Sequence, residues 1–298
     1  MSLLTDFRLS VLENNLGVYG IHVHQNGSVL AQHRFRSDDR ENLYSASKTF
    51  TAVGVGIAEA EGLLKLTDPV LSFFPEYAAI ASEGTERIQI RDLLHMSTGH
   101  AEEKYRLKSN ADRAKLFFET PMEHPVGAQF FYENSATYML GRIIEKLSGQ
   151  ILLEYLKPRL FDKLEILNPQ WQTCAHGHTS GSGGLYLTTE EFSRLGVLLL
   201  NEGKYGEHQI VASDFIHRMQ TDLVPTLGKD DPETREGYGY QVWNCTEPNT
   251  YRADGMYGQM CVVLKDYNAV ITVTAHNETN HKDILRAIWS EILPKLRS

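Results

Sequence analysis

The sequence predicts an α+β fold, an antiparallel sheet flanked by helices with a helical insertion in its middle. Strand patterns occupy both ends of the 298-residue chain, while helical periodicity and loop signals fill the centre. The strands come as hairpins segregated from the helices and do not alternate with them as βαβ units. The terminal strands are therefore expected to meet in one antiparallel sheet.

Residues 17–36 read as a β-hairpin, because Tyr19, Ile21 and Val23 alternate with Val18, Gly20, His22 and His24. Asn26-Gly27 supplies the two positive-φ positions of a type I′ turn. Ser45 to Glu61 reads as a helix with Phe50, Val53, Ile57 and Ala60 on one face and Gly62 at its stop. Loop signals such as Asp68-Pro69 and Phe74-Pro75 then separate short helices, Ile90 to His95 and Asp112 to Phe118. A stronger helix is capped by Asn134 or Ser135, carries Tyr138, Leu140, Ile143, Ile144 and Leu147 as its stripe, and stops at Gly149. After the glycine- and serine-rich 177–184 segment, Thr188 to Asn201 is helical. Gly237 to Trp243, Met256 to Leu264 and Ala269 to His276 read as strands, the last two joined through Lys265-Asp266-Tyr267-Asn268. A helix from Lys282 to Leu296 closes the chain.

Composition narrows the function classes. Twenty-nine basic residues against 38 acidic ones leave a formal charge of −9, which argues against a nucleic-acid binder. No apolar run approaches the ~18–20 residues of a membrane span, and the first residues lack the charged-then-apolar pattern of a signal peptide. Cytoplasmic location is the resulting expectation. Cys174, Cys245 and Cys261 are odd in number and show no CxxC spacing, so they read as three reduced thiols. His22-x-His24 and His176-x-His178 each place two histidines on one side of an extended chain, but neither pair has a third ligand at helical spacing. No metal and no cofactor is expected.

Three segments carry candidate chemistry. Ser45-Ala46-Ser47-Lys48 would put an amine beside a hydroxyl on one helical face, and a desolvated lysine is a base able to activate a serine. Tyr132-Glu133-Asn134 pairs a phenol able to relay a proton with an amide able to fix a lysine or a substrate carbonyl. Ala253-Asp254-Gly255 reads as a turn before the strand at Met256, its glycine permitting close approach of a ligand. Each triplet alone is as common as chance allows.

Their order and surroundings are more specific. The chain resembles the serine β-lactamase and penicillin-binding-protein superfamily, nearest its class C β-lactamase-like branch, which includes esterases, D-stereospecific peptidases and oligoamide hydrolases. The resemblance runs from about Leu43 to Ala275 and rests on six blocks in order: LYSASKTF, LLHMSTGH (Leu93 to His100), PVGAQFFYENSATYMLGRIIEKLSG (Pro125 to Gly149), SGGLYLTTEEFSRLGVLLLNEGKY (Ser182 to Tyr205), GYGYQVW (Gly237 to Trp243) and DGMYGQ (Asp254 to Gln259). It implies a β-lactamase/transpeptidase-like unit with a sheet lobe of 1–60 and 170–298 and a helical lobe of 61–169. Ser45 and Lys48 would lie at the seam, Tyr132 would reach in from the helical lobe, and Asp254-Gly255 would form the opposite wall. The resemblance also makes Ser45 the acylated nucleophile, Lys48 its base and Tyr132 the proton shuttle to the leaving group. Asn134 contacts lysine and substrate, and the N–H groups of Ser45 and Met256 form the oxyanion hole.

One departure stands out. The family's third motif is Lys or His, then Thr or Ser, then Gly, whereas here it is Ala253-Asp254-Gly255. The cation and hydroxyl that hold a substrate carboxylate are missing, and an acid takes the middle place. Arg252 is adjacent, yet neighbouring strand side chains point to opposite faces. The expectation is a serine hydrolase of small esters, amides or peptides, with weak β-lactam activity because Asp254 repels a carboxylate. The alternative is a catalytically weak penicillin-binding or sensor-type domain on the same fold.

Overall fold

A computed structural model describes residues 2–103, 110–226 and 231–296. Its principal sheet has six strands: β1 (Val18–Gln25), β2 (Ser28–Arg34), β8 (Trp243–Asn244), β9 (Thr250–Gly255), β10 (Gln259–Leu264) and β11 (Ala269–Ala275), ordered β2-β1-β11-β10-β9-β8. Every pairing in it is antiparallel. Strands from the two ends of the chain meet where β1 pairs with β11, Ile21 opposite Val273 and Val23 opposite Ile271. Short strands β3 (Glu41–Asn42), β4 (Gln170–Trp171) and β5 (Leu185–Leu187) form a small second sheet, and β6 (Lys204–Tyr205) pairs with β7 (His208–Gln209). The helices are α1 (Thr5–Glu13), α2 (Ser47–Ala60), α3 (Ile90–His95), α4 (Arg113–Glu119), α5 (Asn134–Ser148), α6 (Leu152–Leu156), α7 (Thr189–Leu200), α8 (Ser213–Thr221) and α9 (Lys282–Glu291). None of the described helices is long and apolar enough to cross a membrane.

Period-two alternation makes the principal sheet two-sided. Val262 and Ile271 face one core with Phe7 and Val11 of α1 and Ile284 and Ile288 of α9. Cys261, Val263 and Val270 face the other, larger core, which contains α2, α5 and α7. Helix α2 sits inside that second core and is buried almost all round, from Ser47 to Ala58. The expected one-sided stripe understates this, and Ala60, assigned to that stripe, is exposed. Two glycines allow the burial. A Cβ at Gly56 would stand 2.5 Å from the Phe215 ring, and one at Gly54 would stand 3.1 Å from Leu156.

Several expected elements form as read. Asn26 (φ 53°) and Gly27 (φ 78°) make the hairpin turn, and α5 stops at Gly149 in the left-handed region. Helix α7 forms over nearly the expected residues, and a capping box of Thr188 and Glu191, not foreseen from the sequence, opens it. Others differ. Helix α1 was not anticipated. Gly237 to Trp243 is not a strand; Tyr238 makes isolated bridges and only Trp243 enters β8. The chain there kinks at Gln241 (φ 60°), and Gly239 presses so close to α8 that a Cβ would lie 1.9 Å from the Met219 carbonyl oxygen. Ala253-Asp254-Gly255 is the end of β9 and not a turn. Met256 begins a 3₁₀ turn that precedes β10 instead of the strand itself. The closing helix stops at Glu291, since Pro294 cannot continue it and the chain makes a 3₁₀ turn at Leu293–Lys295.

Candidate active site

Ser45 lies not in α2 but in the 3₁₀ turn Tyr44–Ala46 just before it, and Lys48 is the second residue of α2. The spacing of three still brings them together, with Lys48 Nζ 3.2 Å from Ser45 Oγ. Lys48 is 1% exposed. Its nitrogen donates to Asn134 Oδ1 at 2.6 Å and to the Ser182 carbonyl oxygen at 2.8 Å. Three chain segments thus converge on one buried nitrogen, the sort of low-dielectric setting in which a polar contact counts for most.

Asn134 opens α5 but does not cap it through its own side chain; the cap position is Glu133. The orphan N–H groups of this helix start are taken by Glu103. Its carboxylate accepts from Asn134 N, from Ser135 N at 2.7 Å and from Asn134 Nδ2 at 3.2 Å. That last contact turns the amide so that Oδ1 faces Lys48. Glu133 is fully buried beneath and accepts from Thr98 Oγ1, from Ser135 Oγ at 2.6 Å and from His100 Nδ1 at 3.2 Å. The Tyr132-Glu133-Asn134 turn is therefore pinned from two sides. Sequence reasoning missed Glu103, Glu133 and the Ser182 carbonyl. Only the glycines around Ser182 hinted at the last.

Tyr132 packs among Phe130, Tyr238 and Trp243, stacked on the Trp243 ring at 5.8 Å. Its ring centre lies 5.0 Å from Lys48 Nζ, within cation–π range. A cavity of about 300 Å³ opens over Ser45 and Asn134, lined also by Tyr44, Gln172, Ser182 and Met256; Tyr132 lies outside this lining. Met256 is 54% exposed there.

Asp254 stands elsewhere, and the expected clash with a substrate carboxylate does not arise from its position. Asp254 pairs across the sheet with Met260 on the face covered by α1 and α9, whereas Ala253 pairs with Cys261 on the α2 side. The Asp254 side chain is 7% exposed and is held by Arg252 Nε at 2.7 Å and by Lys282 Nζ of α9, with His281 Nε2 at 4.0 Å. Burial alone would raise the Asp254 pKa, but Lys282 and Arg252 more than offset it and hold the carboxyl well below its ordinary range. Burial lowers the proton affinity of Lys282, against the pull of Asp254. Arg252 lies two residues from Asp254 and shares its face; it is fully buried, donates to the Glu233 carbonyl oxygen at 2.8 Å and does not reach the cavity. What the third motif turns toward α2 is the methyl group of Ala253.

Gly255 does make a close approach, though to protein. A Cβ there would stand 2.2 Å from the Leu43 carbonyl oxygen and 3.2 Å from Ala46 N, so β9 abuts the Tyr44–Ala46 turn directly. The histidine pairs take other partners: His178 Nδ1 lies 2.8 Å from Glu145 Oε2, and the His22 and His24 rings sit 4.9 Å apart. All three cysteines are buried and unbridged.

Comparison with known proteins agrees with this arrangement. The chain is 24% identical over 247 residues to the 6-aminohexanoate-dimer hydrolase of Paenarthrobacter ureafaciens, covering 76% of this chain and 63% of that one. It thus spans a little under two thirds of that relative. It superposes on the hydrolase EstCE1, described as having promiscuous acyltransferase activity, with a TM-score of 0.80 at 16% identity, over 97% of this chain and 99% of that one. It superposes on the octameric penicillin-binding protein homologue from Pyrococcus abyssi with a TM-score of 0.77 at 19% identity, over 99% and 77%. These two likenesses establish the β-lactamase/transpeptidase fold. The sequence profile named Beta-lactamase matches residues 13–291, and the chain belongs to that family.

Proposed function

We propose that the protein is a serine hydrolase that cleaves small esters or amides through an acyl-enzyme on Ser45. The observation that carries this reading is the buried Lys48 nitrogen, in reach of Ser45 Oγ and held by Asn134 Oδ1 and the Ser182 carbonyl. In this reading Ser45 Oγ attacks the acyl carbon and its proton passes to Lys48. The N–H groups of Ser45 and Met256 receive the oxyanion. Tyr132, over Lys48, relays that proton from Lys48 to the leaving group and is itself reprotonated in doing so. Water then attacks the acyl carbon, its proton passes back through Lys48 to Ser45 Oγ, and the acid is released. Kinship with a 6-aminohexanoate-dimer hydrolase supports amide or ester substrates.

The test is a chromogenic short-chain ester with intact-mass detection. An acyl adduct on the protein, absent in Ser45→Ala, is the expected result; turnover without an adduct, or an adduct that survives in Ser45→Ala, overturns the reading. Tyr132→Phe is expected to lower kcat about 10²–10⁴-fold, the usual range for lost acid–base assistance, with the melting temperature kept. Wild-type rates in Tyr132→Phe would remove the phenol from the mechanism.

A second reading, a ligand-binding domain without turnover, is favoured by one observation: Ala253 offers neither cation nor hydroxyl. Slow formation of a lasting penicillin adduct with no ester turnover would select it. For the enzyme, the position of Asp254 moves the specificity expectation from charge repulsion to a missing anchor. Asp254→Thr alone is expected to leave the KM for a penicillin high. Tighter penicillin binding in Asp254→Thr alone would contradict this.

A further inference from the structure

Two tyrosines flank the donors of the oxyanion hole, and both have backbone conformations that bulky residues rarely adopt. Tyr44, immediately before Ser45, has φ 46°, and Tyr257, immediately after Met256, has φ 67°. Such outliers persist only where surrounding contacts hold them. Here the two rings meet edge to face across the junction of β9 and the nucleophile turn, centroids 5.1 Å apart at 75°. Each is also secured from behind. Tyr44 N donates to Asn42 Oδ1 at 2.8 Å. The Tyr257 ring stacks on His276 at 4.3 Å, and its carbonyl accepts from Asn277 N at 3.0 Å. Between them Gly255 lies against Leu43 and Ala46 with no room for a side chain. The two segments that carry the N–H groups of Ser45 and Met256 are thus joined by backbone contact on one side and by the tyrosine pair on the other.

We infer that Tyr44 and Tyr257 form a clasp that sets the spacing of the two oxyanion donors, making both of them positioning residues for acyl transfer. The inference rests on the serine-hydrolase reading above. A clasp acts on the tetrahedral state far more than on ground-state binding, because only there is the oxyanion fully developed. Misplacing a donor costs less than removing one, so the loss expected on cutting the clasp is about 10–100-fold, below the ~10²–10³ of a deleted donor.

The experiment measures kcat, KM and melting temperature with a neutral short-chain ester, together with Ki for phenylboronic acid. That probe forms a tetrahedral adduct on an active serine. Tyr257→Ala and Tyr44→Ala are each expected to lower kcat by about 10–100-fold, with KM within about twofold, and to weaken boronate by a factor similar to the loss in kcat. Tyr257→Phe, which keeps the ring, is expected to restore most of the loss. The double variant Tyr44→Ala/Tyr257→Ala is expected to be no worse than its worse parent, since one contact is lost only once. If Tyr257→Ala does not fold, Tyr257→Gly carries the same expectations, because glycine accepts the positive φ while removing the ring. Unchanged boronate affinity in the folded variants, additive losses in the double variant, or no rescue by phenylalanine would overturn the clasp. A wild-type burst with those results overturns the clasp alone, whereas a wild type that forms neither acyl nor boronate adduct overturns both readings.

Discussion

Ser45→Ala is expected to remove turnover of a short-chain ester and Lys48→Ala nearly to remove it, the double variant losing no more than Ser45→Ala. Groups that act as one unit are grossly non-additive, because once the nucleophile is lost its base has nothing to deprotonate. The 3.2 Å contact between Lys48 Nζ and Ser45 Oγ makes the pair such a unit. Lys48 has a further role, as the shared partner of Asn134 and Ser182. Lys48→Ala therefore leaves a buried amide oxygen and a carbonyl without their donor, and a loss of melting temperature is expected in this variant but not in Ser45→Ala. The measurement is kcat/KM over the three variants with thermal melts alongside. Multiplicative losses in the double variant, or Lys48→Ala turning over at a tenth of the wild-type rate, would show that the two residues do not act together.

The second large effect concerns stability. Asp254→Asn is expected to destabilise the fold by about 3–5 kcal/mol at pH 7, the usual cost of breaking a buried ion pair from one side. Arg252 is fully buried and Lys282 nearly so; without the Asp254 carboxylate Arg252 keeps only the more distant Glu233 carboxylate at 3.9 Å, and Lys282 loses the carboxylate that holds it. The effect depends on pH. The folded carboxyl of Asp254 is held below its unfolded value of about 3.9. Its contribution is therefore complete above about pH 5, and it is lost as the pH falls through the folded pKa. Urea unfolding of wild type and Asp254→Asn at pH 7 and pH 3 reads this, with the gap smaller at pH 3, below the unfolded pKa. A gap below about 1 kcal/mol at pH 7 would show that Asp254 and its partners are not the fastening of α9 to β9.

The position of this ion-pair cluster explains why the substrate-charge expectation from sequence went astray. The acid at the middle of the third motif is a structural fastener behind the sheet. The methyl-bearing Ala253 is the part turned toward α2. A triplet aligned by resemblance carries no information on which face of the sheet each member serves until the strand register is known.

Local chemistry made much of the protein legible from its residues alone. The Asn26-Gly27 hairpin, the stop of α5 at Gly149 and the start of α7 at Thr188 each depend on conformational preferences within a few residues. The Ser45–Lys48 pairing is equally local, since a spacing of three survives even though Ser45 sits in a 3₁₀ turn. The order of six motif blocks was enough to name the family and to single out Ser45, Asn134 and Tyr132, three of the residues that meet at Lys48 or cover it. Tertiary structure decided everything that depends on contacts far apart in the chain. The Ser182 carbonyl reaches Lys48 across 134 positions, and Glu103 orients the Asn134 side-chain amide from 31 positions away while accepting from the first N–H groups of α5. Asp254 faces Lys282 because β9 ends in register with β10 and α9 packs behind it. Tyr44 and Tyr257 hold left-handed conformations that their own side chains disfavour, because packing around the nucleophile turn outweighs that local preference.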